Sequence, residues 1–109
     1  MGGGRDNVVE GNSIFKCTRS ILFDNRGVTW MNLTEMYLNM DKVPYSSSEW
    51  IKKYPEISTL KRLPSSGIPY NNTVINNFIV DSGIPSIDKD VIENGTVKNN
   101  TVRGEYKLK

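Results

Sequence analysis

The sequence contains no histidine and only one cysteine, Cys17. Without histidine there is no imidazole general base, no His-containing metal site and no nuclease centre in which histidine activates water. A single cysteine can form neither an intramolecular disulfide nor a zinc finger, so a reducing compartment is the simpler assumption. These absences favour a binding protein over an enzyme, and we expect no catalytic site, no cofactor and no metal.

The sequence also lacks any apolar run of about 18 residues, the length that a membrane span requires, and residues 1–12 contain no hydrophobic signal segment. We therefore expect no membrane association and a cytoplasmic location. The abundance of Asn, Ile and Lys fits a low-GC bacterial or phage genome, and the location is the host cytoplasm if the protein is phage-encoded. The net charge of +2 favours an anionic partner only weakly, so the distribution of charge must decide.

The 109 residues are enough for one small domain. We predict an α+β fold with a β-hairpin at each end and about four short helices between them. Residues 1–13 are expected to form a disordered tail, residues 14–64 a hairpin plus two-helix module, and residues 65–109 a helix-turn-helix-like module with a C-terminal hairpin. The Ser-, Pro- and Gly-rich residues 64–71 are the plausible linker between the modules.

In the first module, two apolar runs within residues 19–33 flank the turn-forming residues 24–27, which predicts a β-hairpin. The apolar spacing of residues 33–40 then predicts an amphipathic helix capped by Asn32 or Thr34.

A second helix is predicted to start at Ser46, which stands three residues before Glu49 as in a capping box, and to stop at Pro55. Trp50 on this helix is expected to anchor the core. The alternative, base stacking, requires that Trp50 be exposed beside the neighbouring lysines.

In the second module, the apolar positions of residues 74–79 predict a helix that ends at Gly83. The next helix is predicted to start at Pro85 and Ser86 and to end at residues 94–95. Because only about three residues separate the two, the pair has the turn length of a helix-turn-helix.

The tail is predicted to form a second hairpin. Apolar and polar residues alternate from Val102 to Leu108, and Asn99 and Asn100 tolerate the positive φ of a tight turn. Residues 94–109 hold four cations and one anion, which would make this hairpin a basic wing. Residues 81–93 hold four anions and one cation, which is the wrong sign for a recognition helix.

Residues 26–53 resemble the KilA-N domain of phage and large-virus proteins, through Asn32, Thr34, Glu35 and Trp50. They also resemble the short repeats of phage intron-encoded homing endonucleases. Residues 81–108 are similar to the helix-turn-helix tail of those endonucleases, through residues 83–84, 90–92 and 103–104. Both resemblances imply DNA binding. Since no nuclease signature accompanies them, they imply a binding module without its catalytic domain.

Our first hypothesis is a small phage-type DNA-binding protein that contacts the phosphates of double-stranded DNA. The expected contacts are a basic patch on the first module and the basic wing, with two asparagines at the wing tip that could reach base edges. These residues are Lys52, Lys53, Lys61, Arg62, Lys98, Asn99, Asn100, Arg103, Lys107 and Lys109.

The alternative is a phage accessory or inhibitor protein that grips a host or defence protein through its acidic helix and basic wing. The acidic residues are Asp81, Asp88, Asp90 and Glu93. Many small DNA-binding proteins are symmetric dimers, and the sequence leaves a homodimer open.

Overall fold

The computed structural model describes residues 1–29, 32–59 and 67–107. These residues contain eight short strands and four α-helices. The strands are β1 (Val8–Glu10), β2 (Ser13–Phe15), β3 (Leu22–Phe23), β4 (Thr73–Ile75), β5 (Phe78–Val80), β6 (Ser86–Ile87), β7 (Thr96–Lys98) and β8 (Thr101–Arg103). The helices are α1 (Arg26–Thr29), α2 (Leu33–Asp41), α3 (Ser48–Lys53) and α4 (Lys89–Glu93), with a 3₁₀ helix at Pro55–Thr59. The predicted small α+β domain with about four helices is confirmed.

The strands form three sheets, and every pairing between them is parallel. The first sheet has the order β1-β4-β7, the second β2-β5-β8 and the third β3-β6. Successive strands therefore belong to different sheets, and each sheet gains one strand when the chain has completed a turn. This is the arrangement of a parallel β-solenoid, in which each turn, here called a rung, stacks on the one before.

The rungs repeat with a fixed residue offset, which one insertion interrupts. Asn77 of the second rung stacks on Asn100 of the third at a separation of 23 residues. Asn7 of the first rung stacks on Asn72 of the second at a separation of 65 residues. The first two rungs are thus 42 residues further apart than the second and third, because a helical insertion containing α1, α2, α3 and the 3₁₀ helix lies between β3 and β4.

Each strand of the first two sheets has three residues, and its central residue points inward. The six central residues are β-branched, which suits an extended backbone packed between neighbouring strands. They are Val9, Ile14, Val74, Ile79, Val97 and Val102. Val74 and Ile79, in the middle rung, are fully buried at 0% exposure because rungs cover them on both sides.

At the corners between strands the chain turns through residues with positive φ, which redirect a strand without reversing it. Gly11, Asn76 and Asn99 occupy one corner, with φ of 66°, 57° and 57°. The following residues, Asn12, Asn77 and Asn100, direct their side chains into the stack. Because this turn needs a left-handed residue, glycine and asparagine recur there.

These asparagines form a hydrogen-bonded ladder along the solenoid. Asn77 Oδ1 accepts hydrogen bonds from the backbone N–H and the Nδ2 of Asn12, at 3.1 and 3.0 Å. Asn100 Oδ1 accepts from the same two groups of Asn77, at 3.1 and 2.8 Å. Asn77 Nδ2 also donates to the Val9 carbonyl at 3.0 Å. Buried at 1% exposure, Asn77 thus has partners for every polar atom of its side chain.

The apolar core lies inside the second rung and beneath it. Its buried members are Ile21, Phe23, Val74, Ile79 and Val91. Val91 comes from α4, which closes the rung between β6 and β7. In the first rung the helical insertion leaves the solenoid at the equivalent corner. Its two ends meet where Gly27 approaches the Gly67 carbonyl so closely that a Cβ on Gly27 would overlap it.

The predicted hairpins are wrong. Leu22 and Phe23 pair in parallel with Ser86 and Ile87, and residues 26–29 that follow are helical. At the C-terminus, β7 and β8 are strands as predicted, but they pair with β4 and β5 of the preceding rung. Asn99 has the predicted positive φ, yet it turns a corner and does not reverse the chain.

The helix-turn-helix pair is also wrong, because residues 73–75 and 78–80 are strands. Their apolar positions fit a helical face, but Val74 and Ile79 lie five residues apart on the inside of two successive strands. The hydrogen bonds between rungs replace those of a helix. The second helix of the pair exists as α4, beginning at Lys89 instead of Ser86.

The tail and module boundaries also differ from the prediction. Residues 8–10 and 13–15, expected within and beside a disordered tail, form β1 and β2. Strands from residues 14–64 pair with strands from residues 65–109, so the two expected modules share their sheets.

The two helices of the insertion occur close to where they were predicted. Asn32 caps α2, its side chain accepting a hydrogen bond from the Glu35 N–H at 3.2 Å. Ser47, not Ser46, caps α3. Pro55 follows the end of α3 at Tyr54, as expected.

Candidate nucleic-acid interface on the second sheet

The outer face of the second sheet carries two exposed phenylalanines and an arginine. Because side chains alternate along a strand, Phe15, Phe78 and Arg103 point away from the core that Ile14 and Ile79 face. We call these three outward residues, together with Val80 between them, the sheet-face site. Phe15 is 57% exposed and Phe78 is 38% exposed, so both side chains are accessible from solvent.

Strand register holds the sheet-face site together. Phe15, Val80 and Arg103 lie side by side on β2, β5 and β8. Phe78 lies one outward position earlier on β5, and the Arg103 guanidinium stands 5.7 Å from the centre of its ring. This is the geometry of a cation–π pair, in which the ring holds the guanidinium in place. The site therefore combines stacking surfaces with a fixed positive charge.

The corner that follows these strands adds charges of both signs. Lys16 comes directly after β2, and Asp81 comes directly after β5, both with positive φ. The Asp81 N–H donates to the Arg103 carbonyl at 2.8 Å, and its side chain is exposed. Lys16 and Arg103 thus flank one carboxylate, and the local balance is positive by one charge.

A second cluster of aromatic and basic side chains lies on α3 in the helical insertion. Trp50 and Tyr54 are each 42% exposed, and their ring centres are 6.2 Å apart. Lys53 Nζ stands 5.4 Å from the centre of the Tyr54 ring. The expectation that Trp50 anchors the core is therefore wrong. The condition set for the alternative, an exposed Trp50 beside lysines, is met.

The predicted basic residues divide among several surfaces. Lys52 and Lys53 are exposed on α3, whereas Arg103 belongs to the sheet-face site. Lys98 is exposed on β7 of the first sheet, and Lys107 is exposed beyond β8. Three further predicted contacts lie outside the described residues: Lys61, Arg62 and Lys109. The structure thus forms no single basic wing from Lys98, Arg103 and Lys107.

Of the two asparagines expected at a wing tip, one has an exposed side chain and the other has its side-chain amide hydrogen-bonded within the solenoid. Asn99 is exposed at the corner. Asn100 places its amide in the ladder, where Oδ1 accepts from Asn77 and Nδ2 donates to the Val74 carbonyl at 2.9 Å. Its expected reading of base edges is therefore replaced by a structural role.

Two of the four acidic residues also have structural roles. Asp88 accepts a hydrogen bond from the Asn25 N–H at 2.9 Å, and Asp90 accepts from Asn25 Nδ2 at 2.6 Å. They fix the start of the helical insertion against α4. Glu93 is exposed and pairs with Lys89 at 3.4 Å. The acidic helix expected to grip a partner thus uses two of its three carboxylates internally, and the fourth predicted acidic residue, Asp81, lies at the corner after β5.

Sequence reasoning missed Phe15 and assigned Phe78 to a helix. The signal that could have found both is the five-residue spacing of Asn7 and Asn12, repeated at Asn72 and Asn77. Each such asparagine precedes a strand with an apolar central residue. Aligning these segments places Phe15 and Phe78 on outward positions of neighbouring strands.

Within residues 1–29, 32–59 and 67–107, no group of three Cys, Asp or Glu side chains is placed to hold a metal ion. In the same residues no helix is both long enough and apolar enough to cross a membrane.

No protein-family model, curated protein or solved structure matches this chain. The resemblance to KilA-N domains and to homing-endonuclease modules stays a prediction.

Proposed function

We propose that this chain is a non-enzymatic nucleic-acid-binding protein that binds single-stranded DNA or RNA through the sheet-face site. The observation that carries the proposal is the exposure of Phe15 and Phe78 next to Arg103 on one sheet. Proteins that bind single strands stack bases on exposed aromatic rings and place cations along the backbone. The free Cys17 fits the reducing cytoplasm, which is the location we propose.

A single strand is favoured over the duplex expected from the sequence. Duplex reading through a major groove requires a helix or a two-stranded ribbon that can enter it. Here the expected recognition helix is acidic and partly engaged with Asn25, and β7 and β8 form no ribbon. Exposed ring faces, in contrast, are useful only where bases are unpaired.

The aromatic cluster on α3 is a second place where bases could stack. Trp50 and Tyr54 offer ring faces beside Lys53, and Lys52 is exposed on the same helix. Glu49 and Glu56 are exposed in the same stretch of chain, so its charge is close to balanced. We therefore assign the primary contact to the sheet-face site and an auxiliary contact to α3.

The test is the binding of a labelled 12-nucleotide oligo-dT to the purified protein, measured by fluorescence anisotropy from about 50 to 300 mM salt. We expect the affinity to fall linearly on logarithmic axes. Phe15→Ala and Phe78→Ala should each weaken binding by about 1 to 3 kcal/mol, the value of one base–aromatic stack. Arg103→Gln should reduce the salt slope by about 0.7, which corresponds to one lost phosphate contact on a single strand.

Two controls match these variants. Ile84→Ala removes a side chain that is 66% exposed outside the sheet-face site, and Lys89→Gln removes an exposed cation on α4. Both should bind the oligonucleotide as the wild type does. The proposal is overturned if the protein binds a duplex more tightly than a single strand. It is also overturned if Phe15→Ala and Phe78→Ala bind the oligonucleotide as tightly as the wild type does. Binding only to an acidic polysaccharide, with the same residue dependence, would assign the site to a sugar polymer.

A further inference from the structure

The third rung and the first rung each present a strand edge that pairs with no other strand of the described residues, and the side chains along the two edges are complementary. In the described residues, β7 and β8 pair only with β4 and β5, so their outer backbone groups have no strand partner. Strands β1 and β2 likewise pair only on the side of the second rung. Unpaired strand edges are templates for the addition of another strand.

We propose that a second copy of this chain docks its first rung on the third rung of the first copy, so that β1 pairs with β7 and β2 pairs with β8. The stacking rule inside the molecule sets the register. Val8 and Thr96 both align with Thr73, and Ser13 and Thr101 both align with Phe78. Continuing the solenoid by one step therefore places β1 of the second copy on β7 with Val8 opposite Thr96.

In this register the inward residues cover one another. Val9 of the second copy stacks on Val97, and Ile14 stacks on Val102. Val102 is 43% exposed within one chain, although its equivalents Ile14 and Ile79 face the core. The added rung would cover it just as the third rung covers Ile79. Burial of exposed apolar surface drives the association.

The outward residues are complementary in the same register. Glu10 of the second copy falls opposite Lys98, which places opposite charges on neighbouring strands. Phe15 falls opposite Arg103, whose guanidinium already lies over Phe78 in its own chain. Arg103 can therefore meet an aromatic ring on each side.

The asparagine ladder continues across the same junction. Within the chain, Oδ1 of each added asparagine accepts from the backbone N–H and Nδ2 of the asparagine one rung earlier. Asn12 of the second copy would accept in this way from Asn100. Asn100 Nδ2 donates one of its two hydrogens to the Val74 carbonyl, so the other can serve this contact.

Since the strands are parallel, the two edges differ and the contact is head to tail. Such a contact does not close on itself and generates open chains of copies. The occupant is thus a second copy in one orientation, and the symmetric homodimer left open by the sequence uses a different geometry.

The test is sedimentation velocity of the 109-residue protein across a concentration series, with a melting curve for each variant to show that it is folded. We expect concentration-dependent assembly of the wild type. Val102→Asp should reduce association at least 100-fold because it places an unpaired carboxylate between two rungs. Ile84→Asp, which introduces the same charge at an exposed position away from the edge, should associate normally.

A charge exchange tests the register. Glu10→Lys and Lys98→Glu should each weaken assembly about fivefold, because each puts like charges on neighbouring strands. The double variant, and also an equimolar mixture of the two single variants, should assemble as the wild type does. The proposal is overturned if the wild type stays monomeric at all concentrations. It is also overturned if the mixture of Glu10→Lys and Lys98→Glu assembles no better than either variant alone.

Discussion

Asn77 lies directly over Asn100 in the solenoid, and its Nδ2 donates to Asn100 Oδ1 at 2.8 Å. The same Nδ2 donates to the Val9 carbonyl in the rung on the other side. One amide group thus joins three rungs at one corner. The ladder explains how a solenoid of three-residue strands holds its register.

We expect Asn77→Ala to destabilise the fold by about 2 to 4 kcal/mol, because it leaves several buried donors and acceptors of neighbouring rungs without partners. Guanidinium denaturation followed by circular dichroism measures the change. The control is Asn99→Gly, at a corner position with φ of 57° that glycine adopts readily. A loss for Asn77→Ala no larger than that of the control would show that the ladder does not hold the rungs.

Substitutions at Gly95 and Gly11 distinguish the effect of steric overlap from the effect of backbone strain. A Cβ on Gly95 would overlap the carbonyl oxygen of Asn72 in the rung beneath, whereas a Cβ on Gly11 would have no heavy atom within 4 Å. Gly11 has a φ of +66°, so only conformational strain opposes a side chain there. We expect Gly95→Ala to lower the free energy of unfolding by about 1 to 3 kcal/mol or more. Gly11→Ala should lower it by about 1 to 2 kcal/mol. Chemical denaturation of both variants measures the two losses. A smaller loss for Gly95→Ala than for Gly11→Ala would contradict the close packing of the rungs.

An ion pair at the start of the helical insertion should make stability depend on pH. Arg26 donates to both carboxylate oxygens of Asp24, at 2.9 and 2.8 Å, and these hydrogen bonds lower the pKa of Asp24 from its ordinary value of 3.8. A carboxylate with a lowered pKa stabilises the fold fully above its unfolded pKa, and the stabilisation is lost as pH falls through the folded pKa.

The coupling free energy between Asp24 and Arg26 is measured by melting curves of the wild type, Asp24→Asn, Arg26→Gln and the double variant at neutral and strongly acidic pH. We expect a stabilising coupling between the two positions at neutral pH that disappears in acid. A coupling that is the same at both pH values would mean that the charge of Asp24 is not what stabilises the turn.

The acidic residues on and beside α4 should affect stability more than partner binding. Asp88 and Asp90 both hold Asn25, whereas Glu93 is exposed and pairs only with Lys89 among the described residues. We expect Asp90→Ala to lower the free energy of unfolding by about 1 to 3 kcal/mol, since it removes a charge-assisted hydrogen bond. Glu93→Gln should change it by less than about 0.5 kcal/mol, as exposed pairs do. Thermal melting of the two variants compares them directly, and equal effects would remove the structural role of Asp90.

Local signals predicted the elements that depend on neighbouring residues. The apolar spacing of residues 33–40, with Asn32 or Thr34 as cap, predicted α2, and Pro55 predicted the end of α3. The alternation of apolar and polar residues that follows the turn residues Asn99 and Asn100 predicted the strands near the C-terminus. Each of these features acts over a few residues and needs no distant partner. The tendency of Asn99 toward positive φ was also predicted, because it is a property of the asparagine backbone.

Which strands pair with one another was not predictable from these local signals. A strand triplet such as Thr73–Ile75 can pair with the next triplet as a hairpin or with a triplet in another rung, and its own residues favour neither. The helical insertion hid the repeat, because it separates Asn7 from Asn72 by 65 residues where the later rungs are 23 apart. The sheet-face site depends on this pairing, since only the parallel register brings Phe15 and Phe78 to Arg103.

The sequence by itself determined α2 and α3 of the insertion, the strands near the C-terminus and the positive φ of Asn99, because backbone preference and capping act locally. The tertiary structure decided which strands pair, and therefore which side chains are buried and which share a surface. It placed Asn100 in a ladder instead of on a nucleic acid, and it exposed Phe78 instead of burying it in a helix. The physical reason is that hydrogen bonding between rungs satisfies backbone groups that are far apart in sequence, and no local pattern specifies that partnership.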